Sequence, residues 1–156
     1  METFASLARR ETRLRLVTNH PTEFIDLTHL LEKVVAEAGV ETGLLNVQSL
    51  HTTTAVVVNE HEPLLLEDFR DFLEQAAPQD FGYRHDDTSV RTVNLTAAER
   101  PNGHAHCRAL LLPASVCLNV AQGRLVLGRW QRVFLVELDG PREREMSVML
   151  VGESGR

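Results

Sequence analysis

The sequence predicts an α+β fold: a single domain with a mainly antiparallel mixed sheet and two amphipathic helices. Three observations carry that expectation. Several segments alternate polar and apolar residues with the period of two that marks a half-buried strand. Two segments in the first half repeat apolar residues at helical spacing. The second half is a succession of short β-rich runs separated by turn residues.

Taken in order, Thr12-Arg13-Leu14-Arg15-Leu16-Val17-Thr18 alternates and keeps its arginines on the wet side. Asn19-His20-Pro21 is a turn, and Glu23 to Leu27 reads as a short second strand. Thr28 is an N-cap for a helix carrying Leu30, Leu31, Val34, Val35 and Ala38, which Gly39 stops. Leu44 to Gln48 and Ala55 to Asn59 are two more strands, joined through Ser49-Leu50-His51-Thr52-Thr53-Thr54. Pro63 opens the second helix, Leu65, Leu66, Phe69, Phe72 and Leu73 form its apolar face, and Pro78 ends it. From Gln79 to Gly103 the periodicity disappears, and a long irregular stretch inside one domain is usually functional or mobile. Strands are expected at His106 to Leu112, Val116 to Val120, Leu125 to Leu127, Arg132 to Leu138 and Glu145 to Val151. There is no internal repeat and no linker, so residues 1–156 form one domain.

Composition limits the function. At 43% hydrophobic the chain can bury a core without disulfides. Its 16 basic and 22 acidic residues give a formal charge of -6, which argues against nucleic-acid binding through a basic face. Cys107 and Cys117 sit in apolar runs and are expected as small buried hydrophobes in a reducing compartment. Met1-Glu2-Thr3-Phe4-Ala5 does not read as a secretory signal, and no apolar run spans a bilayer. The expectation is a cytoplasmic protein with no membrane partner.

The chemistry-bearing residues are histidines. His20 and His29 read as exposed, and His61 as a surface or hydrogen-bonded residue. In a strand, His104 and His106 would project from one face. If His51, His85 and His106 converge, three neutral imidazoles could hold a divalent metal with an open position, as in catalytic zinc sites. Asp86 or Glu60 could orient a ligand imidazole or act as a general base. Trp130 is expected to be a core residue closing the sheet. Arg142, beyond the Asp139-Gly140-Pro141 turn, is either a solvated arginine or an anion contact. No phosphate-loop signature is present.

In order along the chain, Ser49-Leu50-His51-Thr52-Thr53-Thr54-Ala55, Asn59-Glu60, Tyr83-Arg84-His85-Asp86, Asn102-Gly103-His104-Ala105-His106, Gly123 to Gly128, Trp130-Gln131, Glu137 and Asp139-Gly140-Pro141-Arg142 resemble the YjbQ-like family. The resemblance runs from about residue 12 to residue 152. It implies a homotrimer and secondary thiamine-phosphate synthase activity, in which a pyrimidine diphosphate joins a thiazole phosphate and diphosphate is lost. It implies a metal or anion pocket at His51, His85 and His106, with zinc or magnesium as the metal. Glu60, Asn102, Trp130 and Gln131 match further motif positions, so Asn102, Trp130 and Gln131 are candidate binding residues for a small anionic substrate. Glu60, Asp86 and Arg142 are candidate catalytic residues, with Arg108 as a further helper. Arg129 stands where many relatives carry threonine. The alternatives are a non-catalytic binder of a small anionic metabolite and a metal-dependent hydrolase with a bound water as nucleophile.

Overall fold

The structure is a computed structural model that describes residues 7–154. The reading of Met1 to Ala5 lies outside those residues. Strand β1 (Leu7–Val17) starts earlier than its alternation announces, and β2 (Glu23–Asp26) follows the turn. Helix α1 (Thr28–Ala38) ends on Gly39, whose φ of 66° is the left-handed conformation that glycine adopts without a Cβ clash. Thr28 does not cap through its side chain. Its Oγ1 accepts from the Val133 N–H, and Leu27 occupies the cap position.

Strand β3 (Val40–Ser49) and strand β4 (Thr54–Glu60) flank the His51 turn. Helix α2 (Pro63–Ala76) begins with proline at its first position, and the Glu62 carboxylate accepts from the N–H groups of Leu64 and Leu65. The stretch up to residue 102 is irregular apart from one 3-10 turn, Arg84–Asp86. Then come α3 (Gly103–Leu110), β5 (Ser115–Ala121), the two-residue β6 (Arg124–Leu125), β7 (Gln131–Glu137) and β8 (Glu143–Ser154).

The expected strand over His106 to Leu112 is therefore a helix, a third one. Its β-like composition is overridden by the Asp86 carboxylate, which accepts from the N–H groups of Asn102 and Gly103 where α3 begins. Every strand pairing among the described residues is antiparallel, so the expected mixed character is absent there. The strands form a five-stranded sheet, β1-β8-β3-β5-β6, and a three-stranded sheet, β2-β7-β4.

The small sheet is the middle layer, and this explains why β7 is apolar on both faces. Val133 and Leu135 belong to the core shared with α1 and the inner face of the five-stranded sheet. Phe134, Val136 and Leu138 belong to a second core under α2 and α3, with Ala55, Leu66, Leu73 and Ala105. Each buried Val, Leu or Phe side chain among these contributes about 1.5–3 kcal/mol relative to exposure. The outer face of the five-stranded sheet is not covered by a helix, and Leu44 there is 51% exposed. Both cysteines are exposed rather than buried: Cys107 lies on α3, and Cys117 alternates outward on β5. Among the described residues, no helix is long and apolar enough to cross a membrane.

At the centre of the large sheet, Gly43 on β3 faces Gly152 on β8. A Cβ on Gly43 would sit 2.3 Å from the Val151 carbonyl oxygen and 2.8 Å from the Gly152 Cα. Gly43→Ala is expected to destabilise the protein by about 1–3 kcal/mol, the usual cost of overpacking, read as a lower urea midpoint. An unchanged midpoint would mean that the two backbones are free to separate.

Candidate functional site

The β3–β4 turn is held by its own hydroxyls. Ser49 Oγ bonds Thr54 Oγ1 and accepts from the His51 N–H. This presents the His51 ring to β8, where its Nε2 accepts from the main-chain N–H of Glu145 at 2.8 Å. Across the cavity, the 3-10 turn carries His85 and α3 carries His106. The Asp86 carboxylate joins these two elements, and their rings meet at 4.5 Å between centroids. Gly103 permits this approach, because a Cβ there would lie 2.4 Å from the Cβ of Tyr83.

Beneath the cavity lies Glu137, 0% exposed at the end of β7. Its carboxylate accepts from Arg144, from Thr18 Oγ1 and from the N–H groups of Leu138 and Asp139. Arg144 Nη2 also donates to Thr53 Oγ1, which ties β8 to the His51 turn. Asp139 forms a second node, accepting from Asn102 Nδ2 at 2.9 Å and pairing with Arg142 Nη2 at 2.8 Å. The wall opposite is the irregular segment, organised by Arg91. Its guanidinium donates to the carbonyls of His85, Val93 and Asn94 and pairs with Glu99 at 3.0 Å.

These groups enclose a cavity of about 490 Å3, lined among others by His51, His85, His106, Asn102, Arg91 and Arg142. The guanidiniums of Arg91, Arg142 and Arg144 each meet a carboxylate, Glu99, Asp139 or Glu137 respectively. The charges around the cavity are therefore largely offset in pairs, and what it presents is directed polar groups more than net charge. Burial first, then the nearby Arg144 charge, lowers the His51 pKa; burial first, then His85, lowers that of His106. Both rings are neutral near pH 7. Among the described residues, the only buried side-chain polar atoms without a hydrogen-bond partner are His85 Nε2 and Asn102 Oδ1, and both residues line this cavity. Leaving a buried polar group unpaired costs about 1–3 kcal/mol, which is the mark of a site shaped for something other than stability.

The expected site residues divide. His51, His85, His106, Asn102 and Arg142 converge on the cavity. Asp86 is not in that lining: its Oδ1 accepts both N–H groups at the start of α3, and the residue lines a neighbouring pocket with His85. Arg108 is buried against α2, donating to the Ala77 carbonyl and pairing with Glu74. Glu60, Trp130 and Gln131 line a separate open pocket with Arg129. The β4–β7 register pairs Thr54 with Glu137 and Glu60 with Gln131, so that pocket lies at the opposite end of the ladder, about 20 Å away. Trp130 is not in the core: it is 61% exposed, with the Arg129 guanidinium 4.5 Å from its ring centroid. It precedes β7 in the chain, where no second layer covers the ring.

His104 and His106 do not share a face, because two residues apart on a helix is about 200° around its axis. His104 is buried, while His106 reaches the cavity. An apolar groove of about 430 Å3 between α2 and the small sheet holds no histidine and no arginine. Sequence reasoning missed Arg91, Glu99 and Arg144. Only Arg144 left a signal, as a charge at an inward position of an alternating strand.

A divalent metal was the expected occupant. Among the described residues, no three His, Cys, Asp or Glu side chains are gathered as a set that could hold one. His51 already commits Nε2 to a main-chain donor, so the three-histidine centre does not fit this arrangement.

Comparison with known proteins places these features in context. The family described as UPF0047 protein YjbQ-like matches residues 12–153. A UPF0047 protein of Methanothermobacter thermautotrophicus is 38% identical over 140 residues, covering 90% of each chain. One of Archaeoglobus fulgidus is 41% identical over 135 residues, covering 86% of this chain and 96% of that protein. A crystal structure described as a YbjQ-like protein of unknown function from Sulfolobus solfataricus superposes with a TM-score of 0.84 at 32% identity, covering 95% of this chain and 100% of that one.

The Glu137 carboxyl has a lowered pKa: burial pushes it up, and the bonds from Arg144, the Asp139 N–H and Thr18 outweigh that. A carboxyl with a depressed folded pKa adds stability above its unfolded value of about 4.3, and that stability is lost as pH falls through the folded value. Melting temperature is therefore expected to drop in acid below about pH 4.3. Glu137→Gln should lower stability at pH 7 by about 3–5 kcal/mol and flatten that acid dependence. Equal melting temperatures for both proteins at pH 7 would contradict this.

Proposed function

The chain belongs to the YjbQ-like UPF0047 family, and we propose that its histidine-lined cavity binds a small phosphorylated substrate and carries out the condensation this family resemblance implies. In that reaction a pyrimidine diphosphate and a thiazole phosphate join to give thiamine phosphate. The bond from the pyrimidine's carbon to the diphosphate oxygen breaks, that oxygen keeps the electron pair, and the thiazole supplies the pair for the new bond. The observation that carries the reading is the cavity: Arg142 on its wall, and beside it Asn102 Oδ1 and His85 Nε2 without hydrogen-bond partners, the latter 3.9 Å from the Glu99 carboxylate.

Each residue's part follows from its bonds. A departing diphosphate gains charge on oxygen in the transition state, so N–H donors already in place lower the barrier without reorganising. Arg142 is held by Asp139 through Nη2 and the carbonyl, which leaves Nη1 without a partner among the described residues. Asn102 has its amide orientation fixed by Asp139, which turns Oδ1 toward a donor on the substrate. The chain places no activated nucleophile here: neither cysteine lines the cavity. That favours direct displacement, or binding alone, over a covalent enzyme intermediate. The hydrolase reading loses its support with the missing metal set.

The homotrimer fits the uncovered face of the five-stranded sheet. Leu44, Asn46, Met149, Val151 and Cys117 lie there in adjacent register, with no charge among them. Charged residues alternate outward around this patch, on β1 from Arg9 to Arg15 and on β8 at Glu143, Glu145 and Glu153. An uncharged sheet face of this kind is usually buried against another subunit.

Incubation with both phosphorylated precursors is expected to yield thiamine phosphate and diphosphate in equal amounts, with Arg142→Ala slower by about tenfold or more. Tight binding of the precursors with no product would instead establish a binding protein. In light scattering the protein is expected at three times its chain mass, and Leu44→Lys is expected to shift it to the single-chain mass. A single-chain mass for the unaltered protein would remove the trimer.

A further inference from the structure

We infer that this cavity captures its oxyanion without a metal ion, and that His51 serves there as an N–H donor with its tautomer locked by the chain. The inference rests on the anion-pocket reading and goes beyond it by assigning the means of capture. The argument begins with one hydrogen bond. The Glu145 main-chain N–H can only donate, so the His51 Nε2 it reaches at 2.8 Å must be the unprotonated nitrogen. In a neutral imidazole the proton then sits on Nδ1. That N–H finds no acceptor among the described residues, it is not among the buried unpaired atoms, and His51 lines the cavity.

A protonated Nδ1 has no lone pair to give a metal, and Nε2 has none to spare. His51 is therefore removed from any ligand set by its second contact, not by distance. His85 and His106 remain as a pair; the nearby Glu99 carboxylate, 3.9 Å from His85 Nε2, is engaged by Arg91, and no set of three metal-holding side chains is gathered among the described residues. Among the groups left to meet an anion are the N–H donors His51 Nδ1 and Arg142 Nη1. The ligand class they fit is a compact phosphate or diphosphate group, whose oxygens accept from several donors at once.

The lock comes from the fold. Glu145 is near the start of β8, and its side chain pairs with Arg13 and Arg15 of β1. Arg144, one residue earlier, is fixed to Glu137 and Thr53. The main-chain N–H that holds His51 thus lies in a stretch whose side chains on both sides of the strand are anchored. His51 is a ligand-binding residue whose proton position the backbone decides.

Two measurements test this. Long-range 15N–1H spectra of the full chain at pH 7 should show His51 as the Nδ1–H tautomer. A ring protonated on Nε2 or on both nitrogens overturns the lock. Calorimetry with sodium diphosphate, in EDTA and then with added zinc or magnesium, should give affinities that agree within about twofold, since the donors alone carry the contact. His51→Gln keeps an acceptor near the Glu145 N–H and removes the donor at the Nδ1 position. It should melt close to the unaltered protein and bind diphosphate about tenfold more weakly in EDTA. Binding that appears only with metal overturns the inference while sparing the anion pocket, as does a His51→Gln protein that binds at full strength. No binding in any condition defeats the anion pocket itself, and this inference with it.

Discussion

The carboxylate of Glu137 has no water to turn to, and its bonding sets the floor on which the whole cavity rests. A buried carboxylate is tolerated only when paired and fully hydrogen-bonded. Here the partners come from four separate places in the chain: Thr18 after β1, Arg144 on β8, Thr53 reached through Arg144, and the backbone following β7. Satisfying this one group forces the two sheets into a fixed relation, because β7 belongs to the small sheet and β8 to the large one. Removing either partner would strand a charge, so the arrangement has no neighbouring geometry to relax into.

The cavity is assembled on that floor by further links of the same kind. Asp139 holds Asn102 and Arg142, Asp86 holds the start of α3, and Arg91 gathers the irregular wall around the His85 carbonyl. In each case a charged group is consumed in positioning another residue. What remains free is a small set of directed atoms. The unpaired His85 Nε2 and Asn102 Oδ1 are the exceptions in a chain that otherwise satisfies its buried side chains among the described residues. Stability alone would not retain them.

Three failures of sequence reading share a cause. The segment around His106 looks like a strand by composition, and it is a helix because Asp86, many residues upstream, supplies the acceptor at its first turn. Trp130 looks like a core residue by type, and it is exposed because it falls just before β7 begins, with Arg129 against its ring. Glu60, Trp130 and Gln131 were grouped with the histidines by motif order, while the β4–β7 register sets them at the far end of the ladder. Local pattern measures what a residue prefers; these outcomes depend on what arrives from elsewhere in the chain.

The sequence by itself determined the class of fold, α1 and α2, most of the strands, the irregular stretch before α3, and the membership of His51, His85, His106, Asn102 and Arg142 in one site. Periodicity and turn chemistry are local, so they can be read from neighbours; the site's membership came through the ordered motifs that resemble a known family. Only the tertiary structure decided that Asp86 is a cap, that Arg108 is a strut, and that His51 gives its Nε2 to the backbone of β8. Those decisions turn on which single atom meets which. A proton on one nitrogen of an imidazole, and with it the difference between a metal ligand and an N–H donor, is fixed by a contact ninety-four residues away in the chain.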